Sequence, residues 1–220
     1  PRAGFWAVSL EADLTQREGR AEASAEAAAL EQAITQALDQ AAGKGLAPAV
    51  QICLSRYEGK AIALNLAAQS LAPLARQEGA ALVLDSLLGR GELDQKTLAA
   101  ILSRGGSRLS LEFCYLPSER LSQTQKEAAG GESVYELTLT VDGEPLADWG
   151  GGLAKVRLPY SPDSRRQGSP GAWQLGEEGD RKTLNSLWEE KTGTLTVELP
   201  ASLVFLAGQE ETEDRAPAPE

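Results

Sequence analysis

Three consecutive glycines lie between two runs of alternating apolar and polar residues, one at 134–141 and one at 153–158. Alternation with a period of two is typical of a strand that buries one face. Phosphate-binding glycine loops have a different context, because their glycines lead into a helix whose N-terminal amides contact the phosphate. Gly150, Gly151 and Gly152 therefore predict a sharp corner between two strands, where positive φ angles or close backbone approach require glycine.

The N-terminal part of the chain predicts a hairpin followed by a helix. Residues 6–14 alternate between apolar and polar side chains, and residues 20–25 alternate more weakly after a turn at Gly19, as in a β-hairpin. The period then changes, because apolar residues follow one helical stripe that ends at Gly43 and Gly45. The stripe consists of Leu30, Ala33, Ile34, Ala37, Leu38 and Ala41.

Strand and helix patterns then follow one another as far as Leu116. The predicted strands cover 49–55, 60–66, 80–84 and 107–116, and the predicted helices cover 69–77 and 94–103. A polar, glycine-rich stretch at about 118–132 marks a boundary. After it, every strong pattern is that of a strand: 134–141, 153–158, 171–175, 194–199 and 203–207. Several short strands separated by turns favour an antiparallel β-sandwich.

These patterns together predict an α+β fold in two closely associated parts. Residues 1–118 are expected to form strands covered by alanine-rich helices, and residues 119–208 are expected to form a small antiparallel β-sandwich. Residues 209–220 are acidic and rich in proline and alanine without apolar periodicity, which is typical of a solvated linker.

The charge of the chain excludes several classes of partner. It has 21 basic and 32 acidic residues, which gives a net charge of -11. A field of this sign repels phosphate backbones and anionic lipids, so we expect neither nucleic-acid binding nor membrane-surface binding. No apolar run approaches the roughly 18 residues of a membrane span, and no signal peptide pattern opens the sequence. Any anchoring segment is therefore expected outside this sequence, and the oligomeric state stays open.

The residue types also argue against an enzyme. Histidine is absent from the sequence, which removes histidine-based triads, the usual zinc sites and the default general base near neutral pH. Glu189 and Glu190 are adjacent, and adjacent strand residues point to opposite faces, whereas paired catalytic carboxylates converge across a cleft. We expect a non-catalytic protein without a cofactor.

Acidic loop residues and tryptophans are the candidate ligand-binding groups. Asp142, Glu144 and Asp148 could supply oxygen ligands to calcium, although the sequence has no calcium-binding loop motif. Trp149, Trp173 and Trp188 could stack on sugars if they are exposed. The alternative for each tryptophan is packing in the core of a small sandwich.

Two cysteines lie in strand patterns, each opposite the apolar face of its strand. Cys53 shares a face with Gln51, and Cys114 shares a face with Glu112. If the two strands are neighbours, a Cys53–Cys114 disulfide is geometrically feasible, and it would indicate an oxidising, extracytoplasmic compartment. The alternative is two unpaired thiols.

The stretch from Ser122 to Asp163 resembles the repeated ectodomain region of Gram-positive (Firmicutes) cell-surface proteins that commonly carry S-layer homology domains. In that family a Thr/Gln-rich helix leads into a Val-Tyr-Asp/Glu-Leu-x-Leu strand. An acidic residue, an aromatic residue and three glycines follow, and then a Val-x-Leu-Pro-Tyr strand. The matching features here are Val134–Leu139, Asp148, Trp149, Gly150–Gly152 and Val156–Tyr160. The N-terminal hairpin and helix and the late "KTGTLTVELP" strand extend the resemblance over nearly the whole globular chain.

Two departures from that family matter for function. Family members usually have Thr-His-Phe-Ser before the last strand, where this chain has Pro200, Ala201, Ser202 and Leu203. A self-cleaving or hydrogen-bonding role of that element is therefore unsupported here. The S-layer homology segments are also absent from the sequence, so wall attachment would require sequence beyond Glu220.

The resemblance implies a non-catalytic module of a bacterial cell-surface protein that acts outside the cell as a spacer, display or adhesion domain. Its partner would be the cell envelope or an extracellular ligand. The alternative is an extracellular glycan- or ligand-binding module that uses loop tryptophans, which predicts a concave site with two exposed aromatic residues. A more distant alternative is an enzyme that uses carboxylates alone, which requires convergent, partly buried acids.

Overall fold

The computed structural model describes residues 4–17, 19–54, 59–164 and 168–210. The fold is mixed α/β and mostly strand, with about 22% helix and 47% strand in two sheets. The strands, in chain order, are β1 (Phe5–Glu11), β2 (Asp13–Arg17), β3 (Arg20–Ser24), β4 (Ala47–Leu54), β5 (Ala61–Ala67), β6 (Ala81–Ser86), β7 (Arg90–Asp94), β8 (Arg108–Leu116), β9 (Ser133–Val141), β10 (Glu144–Pro145), β11 (Ala154–Pro159), β12 (Pro170–Leu175), β13 (Arg181–Thr183), β14 (Ser186–Glu189), β15 (Thr194–Leu199) and β16 (Leu203–Gln209). The helices are α1 (Ala27–Ala42), α2 (Ala72–Ala75), α3 (Gln95–Arg104) and α4 (Gln123–Ala129).

The strands form two sheets, which we call sheet A and sheet B. Sheet A has the spatial order β1, β4, β6, β7, β11, β15, β14, with β1, β4 and β6 parallel to one another and the other neighbours antiparallel. Sheet B has the order β13, β12, β16, β9, β8, β5, β3, β2, and β10 pairs with the end of β9. Its only parallel pair among the described strands is β3 and β5.

One hydrophobic cluster joins the inner faces of both sheets, and we call it the shared core. Val50, Leu82 and Val156 of sheet A belong to it, as do Leu139 and Phe205 of sheet B. All five side chains are at most 1% exposed. Because burial of apolar surface is the main favourable contribution to folding, this shared core is what holds the two sheets together.

Three helices also contribute to the shared core. α1 contacts β1 and β4, and α3 contacts β6 and β7. The apolar stripe of α1 is buried as the sequence predicts, with Leu30 and Ile34 in the shared core and Leu38 partly buried against it. α2 adds Leu74 to the same cluster. The expected N-terminal part of strands covered by alanine-rich helices is not confirmed, because these strands lie in both sheets beside strands from later in the chain.

The fourth helix lies on the other face of sheet B. α4 contacts β12, and its Ala129 belongs to a second hydrophobic cluster with Leu116, Val134 and Leu206. α4 begins with a capping box, in which the Ser122 hydroxyl accepts from the backbone N of Gln125 and the Gln125 side chain accepts from the backbone N of Ser122. This helix lies in the polar stretch that the sequence identifies as a boundary.

Both sheets continue across residue 118. In sheet A, β7 pairs with β11, and in sheet B, β8 pairs with β9. Strands from before and after the predicted boundary therefore lie side by side. At the C-terminus, β16 extends to Gln209, and residues 211–220 of the predicted linker lie outside the described residues.

Most predicted strands are confirmed, but three differences are informative. Residues 6–14 do not form one strand, because the chain leaves sheet A after β1 and enters sheet B as β2. The predicted hairpin is formed by β2 and β3, with Gly19 at a φ of 82°. The predicted helix at 69–77 is a 3₁₀ turn, Ala68–Leu71, followed by the short α2. Strands β7, β10, β13 and β14 were not predicted.

Among the described residues, no helix combines the length and apolar character required to cross a bilayer.

Candidate functional site

The glycine corner, Gly150 to Gly152, connects β10 to β11 as predicted. Gly150 and Gly151 have φ angles of 61° and 72°, which side-chain-bearing residues rarely adopt. The backbone N of Gly152 donates to the carbonyl of Trp149 at 2.9 Å, and this bond closes the turn. The following residues enter strand β11 rather than a helix, so the glycines do not have the context of a phosphate loop.

Gly152 contacts the N-terminus of α3. Asp94 caps this helix, since its carboxylate accepts from the backbone N of Thr97 at 2.9 Å and from the Thr97 hydroxyl at 2.8 Å. A Cβ on Gly152 would overlap both of these Thr97 atoms and would lie 2.8 Å from Asp94 Oδ1. The backbone N of Asp94 also donates to the carbonyl of Leu153 at 3.2 Å. The third glycine is therefore required by the packing of β11 against a helix cap.

The structure places the three candidate tryptophans in three different environments. Trp149 is 2% exposed in the shared core, and its Nε1 donates to the carbonyl of Leu146 at 3.1 Å, so its ring is not accessible to a ligand. Trp173 is partly buried against the second cluster on sheet B, with the guanidinium of Arg181 5.9 Å from its ring centroid. Trp188 is partly buried against the shared core. The three rings do not form one binding surface.

The candidate calcium ligands are also not brought together. Both carboxylate oxygens of Asp142 accept from the backbone N of Ser107, at 3.1 and 3.0 Å, and Oδ1 accepts from the backbone N of Arg108 at 2.8 Å. The hydrogen bond from Ser107, and then that from Arg108, holds the pKa of Asp142 below its ordinary value. Asp148 accepts from the backbone N of Gly150 at 2.8 Å. Among the described residues, no group of three potential metal ligands is found.

Of the two alternatives for the cysteines, the structure has the unpaired thiols, since Cys53 and Cys114 are both free and lie in different sheets. Cys53 lies in β4 next to the core residues Ile52 and Leu54, so its side chain points to the outer face of sheet A. Cys114 lies in β8 and belongs to the second cluster, on the outer face of sheet B. The shared core separates the two cysteines. The sequence correctly predicts that each points away from its apolar face, but it does not show that the two strands belong to different sheets.

A cleft that the sequence analysis does not identify opens at one end of the two sheets. Its volume is about 290 Å³, and we call it the tyrosine cleft. It lies where β11 of sheet A ends beside the start of β9 and the end of β16 in sheet B. The residues that matter for its chemistry are Glu132, Ser133, Tyr135, Tyr160, Asp163 and Gln209.

Gln209 fixes the walls of the tyrosine cleft. Its side chain, in a residue only 8% exposed, accepts from the backbone N of Asp163 at 2.8 Å and donates to the carbonyl of Gly168 at 3.3 Å. Its backbone N donates to Glu132 Oε1 at 3.5 Å. The stem of Glu132 lies against Gly208, where a Cβ would come within 2.8 Å of it. Through its side chain and its backbone N, Gln209 therefore connects the end of β16 to Asp163, Gly168 and Glu132.

The two tyrosines of the cleft are supported by other aromatic rings. Tyr135 stacks on Phe205 and on Phe113, with ring centroids 5.6 and 6.0 Å apart. Tyr160 contacts Trp188 edge to face, with centroids 5.8 Å apart and an interplanar angle of 83°. Burial raises the pKa of Tyr135, so its hydroxyl keeps its proton at neutral pH. Trp188 thus supports the cleft from behind rather than lining it.

No family model, curated protein or solved structure matches this chain.

We expect Gly152→Ala to destabilise the protein, because its Cβ displaces the Asp94 cap of α3 or separates β11 from it. The expected loss is about 2 kcal/mol or more in the free energy of unfolding, which urea denaturation measures. Gly91→Ala is the matched control, because a Cβ there meets nothing within 4 Å and Gly91 has no positive φ. The control should be neutral or should stabilise by up to about 1 kcal/mol. Equal losses in the two variants would contradict the role of Gly152.

Asp142 is expected to make stability depend on pH in the acid range. Its pKa in the folded protein lies below its ordinary value of 3.8, so the unfolded chain takes up the proton first. The contribution of this carboxylate is therefore present above pH 3.8 and is lost as the pH falls through the folded pKa. The difference in unfolding free energy between the protein and Asp142→Asn should shrink over that window. A difference that is constant with pH, or an ordinary pKa in an NMR titration of Asp142, would contradict this account.

Cys53 is expected to react with iodoacetamide faster than Cys114. Burial, and next the nearby Glu136 carboxylate, raises the pKa of Cys114 to about 11, and the thiolate is the reactive form. Brief labelling of the folded protein followed by peptide mass spectrometry should find modified Cys53 first. Both thiols should react after denaturation. A peptide pair joined through Cys53 and Cys114 in a non-reducing digest would contradict the structure.

Proposed function

We propose that this chain is a non-catalytic structural or display module of a bacterial cell-surface protein of the type that carries S-layer homology domains. It acts outside the cell, as a spacer or adhesion domain between an anchor and the surroundings. Its partner is a component of the cell envelope or an extracellular ligand.

The main support for this proposal comes from the glycine corner, which is the most specific motif of the family resemblance. In this structure the residues of the corner serve the packing of the chain. Gly150 and Gly151 turn the chain, Gly152 contacts the cap of α3, and Trp149 fills the shared core. Asp148, the acidic residue of the motif, accepts from the backbone N of Gly150. Every residue of the motif thus has a part in the packing of the chain, as expected where a family is defined by its fold rather than by a reaction.

The remaining polar side chains support the same proposal. Asp94 and Asp142 accept hydrogen bonds from backbone N atoms at a helix start and at a strand start. Glu189, one of the two adjacent acids considered as a catalytic pair, accepts from the Thr192 hydroxyl in a surface turn at 2.9 Å. Such carboxylates stabilise local structure. This structural role is the one expected of them in a spacer module.

Protease treatment of intact cells of the source organism tests the proposal. If the module is displayed outside, peptides from this chain should be released while the cells remain unbroken, together with known surface proteins. A cytoplasmic marker protein should stay inside in the same sample and should appear only after lysis. Recovery of this chain solely in the lysed sample, with the cytoplasmic marker, would overturn the proposed location and with it the proposed role.

A further inference from the structure

The strand β1 has one edge that no other described strand covers. It lies at the end of sheet A, and among the described strands it pairs with β4 alone. Within the described residues, no backbone hydrogen bond joins its other edge to a loop or a helix. The free backbone N–H and C=O groups along such an edge form a template for pairing with a further strand.

The other edge strands of the two sheets are less suited to pairing. β13 has three residues, two of them basic, and β14 has four residues. β2 has five residues and begins with Asp13. β1 has seven residues and carries no charge before Glu11 at its end. Short strands and charged side chains are the features by which proteins protect sheet edges, and β1 has neither along most of its length.

The apolar residues of β1 are only partly covered. Five of its seven residues are apolar, and none of the five is buried. On the outer face of sheet A, Phe5 and Ala7 are partly buried against buried residues of β4 and β6. On the inner face, Val8 and Leu10 are partly buried against the shared core. A further strand beside β1 removes apolar surface from water, and this favours its addition.

The sequence of β1 is suited to pairing with a second copy of itself. In an antiparallel pair centred on Val8, each residue lies opposite one residue of the second copy. The opposed pairs are Val8 with Val8, Trp6 with Leu10, Ala7 with Ser9 and Phe5 with Glu11. On the inner face, apolar residues therefore lie opposite apolar residues, and no like charges face each other within the pair. Such a pair has a twofold axis, as most homodimers do.

The polar face of α1 fits the same partner. α1 contacts β1 and ends beside its start, since Gln40 accepts from Trp6 Nε1 at 2.7 Å and Lys44 Nζ lies 4.3 Å from the Trp6 ring centroid. A shallow depression of about 600 Å³ follows this helix and is lined by Gln32, Thr35, Gln36, Asp39 and Gln40. Two residues of strand and four residues of helix each span about 6 Å, so Gln36 lies level with Val8. A glutamine amide both donates and accepts, so it can pair with the same amide of a second copy across the twofold axis.

We propose that β1 is the interface of a homodimer. The β1 strands of two copies pair antiparallel about Val8 and join the two copies of sheet A into one continuous sheet. The two α1 helices then lie side by side on the inner face. The proposal goes beyond the role of a spacer or display module and does not depend on it.

The oligomeric state of the whole chain tests the proposal. Sedimentation equilibrium from about 1 µM to about 1 mM should find a monomer and a dimer, with a Kd on the order of 10 µM. The measurement is made at about 0.15 M salt, which screens the repulsion between two chains of net charge -11. Hydrogen exchange at the amides of β1 should slow as the dimer forms, while exchange at the amides of β14 should not change.

Charge variants on exposed positions test the pairing itself. Ser9 is exposed on the outer face, and the two copies of Ser9 lie diagonally across the twofold axis, within reach of long side chains. Ser9→Lys and Ser9→Glu each place like charges there, so each should raise the Kd about tenfold or more. An equimolar mixture of the two variants should dimerise better than either alone, because the lysine then faces the glutamate. Leu187→Lys, on the exposed side of the opposite edge strand β14, is the control and should leave the Kd unchanged.

Three outcomes would overturn the proposal. One is a chain that stays monomeric up to about 1 mM. Another is a dimer that Leu187→Lys weakens and Ser9→Lys does not, which would place the interface at β14. The last is a mixture of the two Ser9 variants that dimerises no better than either variant alone, although circular dichroism shows both to be folded. None of these outcomes affects the protease experiment on intact cells, so the two proposals fail independently.

Discussion

The structure depends on the burial of two apolar sheet faces against each other. Each sheet has one face of buried aliphatic side chains, such as Val156 in sheet A and Leu139 in sheet B, and neither face can remain in water without a large cost in free energy. Each sheet joins a block of strands from before residue 118 to a block of strands from after it, and the blocks meet where β7 pairs with β11 and where β8 pairs with β9. Each half of the chain therefore completes the apolar face to which the other half contributes.

The burial of the two sheet faces against each other also explains the glycine corner. β11 lies in the middle of sheet A, between β7 and β15, and its inner residues are fully buried. The chain reaches this position from β10 at the side of sheet B, and it must pass beside α3, whose cap belongs to the end of β7. Only a residue without a Cβ fits against Thr97 at that point. The corner is thus the place where the chain crosses from one sheet to the other beneath a helix.

The sequence predicts those elements whose burial differs between two faces. β4, β8, β9 and α1 show clear periodicity because one side of each is buried in the shared core. β13 lacks such a signal, since all of its residues are exposed. The sequence does not show the break between β1 and β2. The apolar and polar residues continue to alternate through Ala12, although the chain leaves sheet A at this point and enters sheet B.

The same limit explains why the sequence leaves the pairing of the cysteines open and does not reveal the tyrosine cleft. Periodicity shows which way a side chain points within its own sheet, and for Cys53 and Cys114 that direction is correct. It does not show which strands are neighbours. Tyr135 lies on β9, Gln209 lies on β16, and Tyr160 directly follows β11. These elements are far apart in sequence and meet only through the pairing of β9 with β16 and the packing of the two sheets.

Several carboxylates of this acidic chain are hydrogen-bonded to its own backbone. Asp94, Asp142 and Asp148 each accept hydrogen bonds from backbone N atoms at a cap or a turn, so the fold itself supplies their partners. At Asp163 the backbone N donates to the side chain of Gln209, which fixes the position of this segment beside the end of β16. The contacts of Gln209 and the aromatic neighbours of Tyr135 and Tyr160 therefore fix the walls of the tyrosine cleft, as the caps and turns fix other parts of the fold.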